Sequence, residues 1–416
     1  MEAATAQRAP FTTSAVHLQP ASILIVGPDQ QYIDRYREAL EPGAPSWSVS
    51  TSSAEDVIAG RLDISGHDVF LVDYANLDAD GVGLLKLIRK DCPSAIRIVL
   101  AEPTLGPPAI DVMNVAHQAL PRQNSEGLPV RAVTRALSLR GLLQAEQTEA
   151  AVGNIDMLPA LPQVYIEFVR AAQTDGVELP VLAGIIEQDV ALSAKVLQLV
   201  NSAFFGLRSH VKTLEHAVSV LGIEMVSALV TSTTAFTTLT DRSNVRFAES
   251  LWIHSRHVGD FAERFLTGES DESLHVEAIQ ASLLHDIGRL VIQHSMPRSA
   301  KLIDDLVRHD GALLRKAEKA IIGGTHEEVG AYLLSLWGFH ERTVDVVLRH
   351  HDLEAAAESG CKVSIVVAVA NCLAPADGDY SDEAVARRGE EFCLKDFFAE
   401  DQVEMWIHQA IELMNE

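Results

Sequence analysis

The residues with the clearest chemical potential are histidines on the apolar faces of predicted helices. Residues three, four and seven positions apart share one face of a helix. In one such segment the apolar face is completed by His254. A second segment, 278–292, is apolar almost all round except for one sector, which carries His285, Asp286 and Arg289. Because a buried carboxylate is costly unless it is paired or bound to a metal, this sector predicts a polar site inside the protein.

Further inward polar residues follow downstream. His326 begins an apolar stripe, His350 and His351 end the next predicted helix, and Asn371 interrupts a long apolar run. Imidazoles and carboxylates suit zinc, iron or manganese, and one ion needs three to six ligands. Taken singly, each histidine is better explained as a core residue with a hydrogen-bond partner. Taken together, they predict a present or former metal centre in a helical core.

Composition and charge exclude several classes of protein. The 416 residues include 33 Lys+Arg and 58 Asp+Glu, which gives a net charge of −25 and, without a basic cluster, disfavours a nucleic-acid partner. The 4 cysteines are far apart, which is typical of a reducing cytoplasm and not of a disulfide or thiolate-zinc scaffold. No apolar run reaches the ~18 residues of a membrane-spanning helix. We therefore predict a cytoplasmic protein with no membrane span.

The elements that must position these residues change character along the chain. Residues 1–20 are predicted to be a disordered tail. From residue 21 to residue 127, short β-branched apolar runs at 22–26, 69–72 and 96–100 alternate with helical spacing, which predicts a doubly wound parallel α/β sheet. Residues 128–154 are predicted to be a helical connector. From residue 155 to residue 416 the pattern is all-helical, so the fold class is α/β plus all-α.

Two acidic residues follow strands of the predicted sheet, at the edge where parallel sheets gather their chemistry. Asp73 comes directly after the second of the three runs, and Asp29 follows the first. The stretches ILIVGPD and DVFLVDYANLDADGVGLL resemble a response-regulator receiver domain, with Asp73 and Asp29 in phosphoacceptor-like positions. That family holds Mg²⁺ with an acidic pair after the first strand, and here the pair is replaced by Gly27 and Pro28. The resemblance implies a degenerate receiver domain without bound magnesium.

The helical part is similar to an HDOD domain, a non-standard branch of the HD superfamily. The motifs that carry this resemblance include LAGIIEQDVALSAKVLQLVNSAFFGL, SLLHDIGRLVI, THEEVGAYLLSLWGF and VLRHHD. Two departures matter, because the final aspartate of the superfamily falls on Asn371 and an expected carboxylate falls on Ser250. The metal ligands that the resemblance implies are His254, His285, Asp286, His326, His350, His351 and Asn371.

The two resemblances together imply a signal-transduction regulator of the two-component type. A pseudo-receiver domain would control a non-catalytic HDOD output domain that contacts other signalling proteins, with a homodimer as a further expectation. One divalent transition metal, iron, manganese or zinc, is expected at the degenerate site. Two alternatives stay open: a metal-dependent phosphohydrolase or phosphodiesterase acting on a nucleotide or cyclic dinucleotide, with Arg289 as a phosphate contact, and a nucleotide-binding sensor without hydrolysis.

Overall fold

The structure is a computed structural model of the chain. The predicted tail, apart from residue 20, and Asp29 lie outside the described residues. The described residues are 20–27, 30–40, 46–74, 80–103, 107–122, 127–155, 158, 161–174, 176–207, 209–236, 242–310, 313–374, 385, 387–389 and 393–415.

The N-terminal part is a five-stranded parallel sheet with the strand order β2-β1-β3-β4-β5. The three central strands are buried almost throughout, as their aliphatic sequences predict. The elements are β1 (Ala21–Val26), α1 (Gln30–Leu40), β2 (Trp47–Ser52), α2 (Ala54–Ile58), β3 (Val69–Asp73), α3 (Asp80–Asp91), β4 (Ile96–Ala101), α4 (Pro107–Met113), β5 (Gln118–Pro121) and α5 (Gly127–Arg140). The predicted doubly wound α/β class is confirmed.

After α5, every regular element in the described part of the chain is helical, which confirms the all-α prediction. The α-helices are α6 (Glu146–Gly153), α7 (Pro162–Ala172), α8 (Leu179–Glu187), α9 (Val190–Val200), α10 (Leu214–Phe236), α11 (Arg242–Phe265), α12 (Glu272–Leu284), α13 (Ile287–Ser295), α14 (Pro297–Asp310), α15 (Leu314–Ile322), α16 (His326–Leu336), α17 (Glu341–Arg349), α18 (Leu353–Ser359), α19 (Lys362–Leu373) and α20 (Glu400–Asn415).

The sheet and the first helices of the helical part share one continuous apolar core. Helix α9 is buried along its whole length. The Lys195 ammonium of this helix donates to the Met113 carbonyl (2.7 Å), and the Gln198 amide donates to the His117 carbonyl (2.9 Å). The Tyr74 and Phe204 rings meet edge to face, with centroids 6.4 Å apart. The sheet part thus covers a face of the helical part with both apolar and hydrogen-bonded contacts.

A buried hydrogen-bond network connects the sheet to the end of α6. The Arg97 backbone N–H donates to His117 Nδ1 (3.0 Å), and His117 Nε2 lies 2.8 Å from the Gly153 carbonyl oxygen, which also accepts from the Arg97 guanidinium. Since a carbonyl can only accept, Nε2 carries the hydrogen and the ring is neutral. Burial and the adjacent Arg97 charge hold the pKa of His117 well below 6.5.

We expect a His117→Gln variant to lose part of the acid sensitivity of the wild-type protein. The folded pKa is depressed, so the contribution of His117 is complete above pH ~6.5 and is lost as pH falls toward the folded pKa, by up to about 1.4 kcal/mol per pH unit. Urea unfolding at pH 7.5, 6.5 and 5.5 measures this slope. His408→Gln, at an exposed histidine on α20, is the control. Parallel loss of stability in wild type and His117→Gln would contradict the assignment.

Candidate metal centre

Four helix ends bring the predicted ligands together. His285 ends α12, Asp286 precedes α13, His326 begins α16, and His350 ends α17. Helices α13 and α16 approach closely because position 288 is glycine: a Cβ there would lie 1.9 Å from the His326 carbonyl oxygen. The glycine of the SLLHDIGRLVI motif therefore places Asp286 beside His326.

The Asp286 carboxylate lies at the centre of the cluster. Its Oδ1 is 3.3 Å from His326 Nε2 and 3.5 Å from His350 Nε2, and its Oδ2 is 3.8 Å from His285 Nε2. One ligand atom from each of Asp286, His326, His350 and His351 fits within 4.8 Å of the others. The same holds for His254, His285 and Asp286, so that Asp286 belongs to both groups.

Hydrogen bonds on the far side of each ring orient three of the imidazoles. His285 Nδ1 donates to the Ser282 carbonyl and His350 Nδ1 donates to the Val347 carbonyl, both at 2.7 Å. His326 Nδ1 lies 2.8 Å from the Glu318 carboxylate. In the neutral ring a hydrogen on Nδ1 leaves the Nε2 lone pair free, which is the usual arrangement of metal-binding histidines.

The atoms that face the centre have no hydrogen-bond partner among the described residues. They are Nε2 of His285, His326 and His350 and Oδ1 of Asp286, and all are buried. Buried polar atoms in native proteins are normally paired. His326, His350 and His351 surround one side of the Asp286 carboxylate, and His254 and His285 lie on the other. Imidazole nitrogens beside a carboxylate oxygen are donors that fit a divalent transition ion, so the cluster allows a metal to bind.

The electrostatics of the centre favour a positive charge. Burial opposes a charged ring, but Asp286, Glu318 and Glu327 outweigh it and raise the pKa of His326 to about 10. By contrast, burial lowers the pKa of His285 to about 3. Burial also works against the Asp286 carboxylate, yet Arg289 and His285 hold the pKa of Asp286 well below its usual range. A proton on His326 or a bound cation would each supply the positive charge that these carboxylates favour, since metal and proton compete for the same ligand atoms.

Asn371 is used differently from the other candidates. Its side-chain oxygen accepts from His254 Nε2 (2.9 Å), and its nitrogen lies 3.3 Å from His351 Nδ1. The amide therefore links two imidazoles, and His254 Nε2 is engaged with it. The structure thus brings all seven sequence-predicted ligands together, with His254 and Asn371 paired to each other.

Arg289 lies at the rim of the cluster. Its guanidinium donates to Asp286 Oδ2 (3.0 Å), stacks over the Phe247 ring at 5.5 Å and is 34% exposed. A role as a phosphate contact stays a prediction.

The sequence interpretation missed two buried carboxylates beside His326. Glu318 and Glu327 are 2% and 1% exposed. Glu318 lies in a helix rich in charged residues, which is typical of a surface position. The overlooked signal is that Glu318 shares a helical stripe with Leu314, Ile321 and Ile322.

The receiver-like site has its own built-in cation. The Arg122 guanidinium donates to both oxygens of Asp73, at 2.9 and 3.1 Å, and the two side chains are 8% and 1% exposed. A Cβ at Gly27 would lie 2.8 Å from Asp73 Cβ, so a side chain at this position of the former acidic pair would require a shift. Asp73 as a phosphoacceptor stays a prediction.

We expect an Arg122→Gln variant to unfold more easily by about 3–5 kcal/mol, because it removes the cation that pairs with both oxygens of the buried Asp73 carboxylate. The midpoint of urea unfolding measures the effect. The Asp73→Asn/Arg122→Gln double variant should recover most of the loss. Arg61→Gln, which removes an exposed partner of Asp56, is the control and should cost less than about 1 kcal/mol. Equal effects of Arg122→Gln and Arg61→Gln would refute the role of the pair.

We expect Asp286→Asn to weaken zinc binding by at least ~100-fold, the upper end of what the loss of a ligand's outer partner costs, because Asp286 belongs to both ligand groups. Competition with a chromophoric chelator measures the affinity. Asp352→Asn is the matched control, since Asp352 follows the double histidine but is exposed and caps α18. Unchanged zinc affinity in Asp286→Asn would show that the carboxylate is not a ligand.

Comparison with known proteins assigns the helical part. Residues 158–353 match the family model of the HDOD domain. An uncharacterized protein of Treponema pallidum (strain Nichols) is 27% identical over 262 residues, which are 62% of this chain and 51% of that protein. The chain therefore spans about half the length of this curated relative. Residues 158–353 thus match an HDOD domain, and they follow the five-stranded parallel sheet.

Two solved structures are similar to part of this chain. A virulence factor from Campylobacter jejuni is 17% identical with a TM-score of 0.50, and the match covers 65% of this chain and 97% of that one. The MmoQ response regulator from Methylococcus capsulatus is 20% identical with a TM-score of 0.48, and the match covers 60% of this chain and 98% of that one.

Among the described residues, no helix combines the length and apolar character needed to cross a bilayer.

Proposed function

We propose that this protein is a cytoplasmic signalling regulator whose HDOD domain holds one divalent transition metal and acts by contact with other proteins. The observation that carries the proposal is the convergence of unpaired Nε2 atoms from His285, His326 and His350 on the Asp286 carboxylate. Nitrogen and oxygen donors of this kind suit zinc, iron or manganese. An ion held by Asp286, His326 and His350 would join the ends of α13, α16 and α17 and so stabilise the folded output domain.

The residues around the centre support binding without hydrolysis. Phosphodiester hydrolysis usually uses a second metal that stabilises the leaving oxygen. The positions that would supply further anionic ligands hold Ser250, which bonds to the Phe247 carbonyl, and Asn371, which bonds to His254. The Glu318 carboxylate is hydrogen-bonded to His326 Nδ1, on the side of the ring that faces away from Asp286. Among the described residues, Asp286 is thus the carboxylate that faces the unpaired Nε2 atoms.

The receiver-like domain is suited to control by contact. Its buried Asp73 is already neutralised by Arg122, and the domain covers helix α9 of the HDOD domain. Part of the HDOD surface is therefore hidden by the same chain. We propose that displacement of the receiver-like domain alters which HDOD surface is available to signalling partners.

The second candidate function is a phosphohydrolase or a nucleotide sensor. One observation favours it: the partly exposed Arg289 guanidinium at the rim of the cluster, where a phosphate would approach the centre.

Elemental analysis of the full-length protein, combined with assays on an activated phosphodiester and a cyclic dinucleotide, tests the proposal. We expect one ion per chain and no turnover. Two ions per chain with turnover that disappears in His285→Ala would establish the hydrolase instead. Binding heat with a nucleotide in calorimetry, without turnover, would establish the sensor. Protein without any bound or bindable transition ion would refute the metal centre.

A further inference from the structure

The loop before the metal ligand His326 contacts both the candidate centre and the connector. We name residues 318–325, which are the end of α15 and the three residues after it, the ligand loop. We name residues 142–148 the docking segment. We propose that the ligand loop fixes His326 for metal binding and is itself held by the docking segment, so that Glu318 and Thr148 are positioning residues. This inference rests on the metal centre of the proposed function.

Glu318 holds His326 at two points. Its carboxylate oxygens lie 3.0 and 2.8 Å from His326 Nδ1, and Oε2 also accepts the His326 backbone N–H at 3.0 Å. Both residues are buried. One side chain therefore sets the backbone position and the ring orientation. A carboxylate on Nδ1 also makes Nε2 a stronger donor toward a metal.

The ligand loop has little freedom to move on its own. Gly323 adopts a left-handed conformation with φ +68° and closes α15. Thr325 and Glu328 form a reciprocal capping box at the start of α16, so the loop ends in a fixed position directly before His326. A displacement of the loop would therefore carry His326 with it.

The docking segment binds the loop through backbone atoms. The Gln144 N–H donates to the Gly323 carbonyl at 2.9 Å. The buried Thr148 hydroxyl donates to the Ile322 carbonyl at 2.7 Å. A Cβ at position 324 would lie 2.8 Å from Leu143 Cδ2, so a side chain there would displace the Leu143 methyl group. The docking segment is thus a direct partner of the loop that positions the ligand.

The arrangement joins the two parts of the chain through the metal ligand. Helix α5 belongs to the sheet part, and the docking segment runs from the end of α5 into α6. Loss of docking would leave the carbonyls of Ile322 and Gly323 without these partners and release the loop. Because linkage is reciprocal, docking that strengthens metal binding must itself be strengthened by the metal.

The first test is zinc affinity by chelator competition, together with the visible spectrum of the Co²⁺-loaded protein. Glu318→Gln should weaken zinc binding by ~10- to 100-fold, the usual effect of removing an outer partner of a ligand, and should shift the cobalt bands. Glu277→Gln is the matched control, because Glu277 is a buried, ion-paired carboxylate on α12 that contacts Lys212 and Arg342. Wild-type affinity and spectrum in Glu318→Gln would overturn the role of Glu318.

The second test concerns the docking segment. Thr148→Val keeps the side-chain shape and removes the hydroxyl, and it should weaken zinc binding by at least ~5-fold, the lower end of coupling between sites. Thr174→Val, which removes an exposed hydroxyl bonded to its own helix, should leave the zinc affinity unchanged. Equal zinc affinities in the two variants would overturn the role of Thr148.

Hydrogen exchange of the wild-type protein provides a reading that needs no variant. Zinc should slow exchange at the Gln144 amide, whereas unchanged exchange in zinc-saturated protein would overturn the link to the docking segment. These failures differ from failure of the proposed function. If the proposed function fails, the wild-type protein does not bind zinc or cobalt. If only the further inference fails, the wild-type protein binds the ion, and Glu318→Gln and Thr148→Val bind it as tightly as the wild type.

Discussion

The structure of the HDOD domain depends on the buried carboxylate of Asp286. Burial of an ionised carboxylate costs several kcal/mol unless cationic or hydrogen-bonding groups surround it. Here Arg289 donates to one oxygen from the rim. The other oxygen lies 3.3 Å from His326 Nε2 and 3.5 Å from His350 Nε2 and has no hydrogen-bond partner among the described residues. The helix ends around it therefore form a pocket that a cation would complete.

The two parts of the chain neutralise a buried carboxylate in different ways. In the receiver-like sheet, Arg122 is covalently part of the protein and pairs permanently with Asp73. In the HDOD domain, Arg289 pairs with one oxygen of Asp286, and the charge beside the other oxygen is exchangeable, either a proton on His326 or a bound cation. The first site is therefore suited to a structural role, and the second is suited to respond to its surroundings.

Much of the fold could be predicted from apolar periodicity. The central strands and the helical class follow directly from it. The edge strands β2 and β5 were missed, because WSVSTS is mostly polar and QALP is short, so neither has the continuous apolar run of a covered strand. The candidate ligands were found because histidine on an apolar stripe is conspicuous. Glu318 was missed because the charged residues beside it in α15 suggest a surface helix, although Glu318 lies on the apolar face of that helix.

The sequence by itself determined the types of the candidate ligands, the helices that carry them and the resemblance of the helical part to an HDOD domain. Tertiary structure decided which atoms face each other: that Gly288 lets α13 contact the start of α16, that Asn371 pairs with His254, and that Thr148 binds a carbonyl 174 residues away. The physical reason is that periodicity shows which face of a helix is buried but not which neighbour covers it. Many partners of these buried polar groups lie far away in the chain, and such contacts form only when the helices pack.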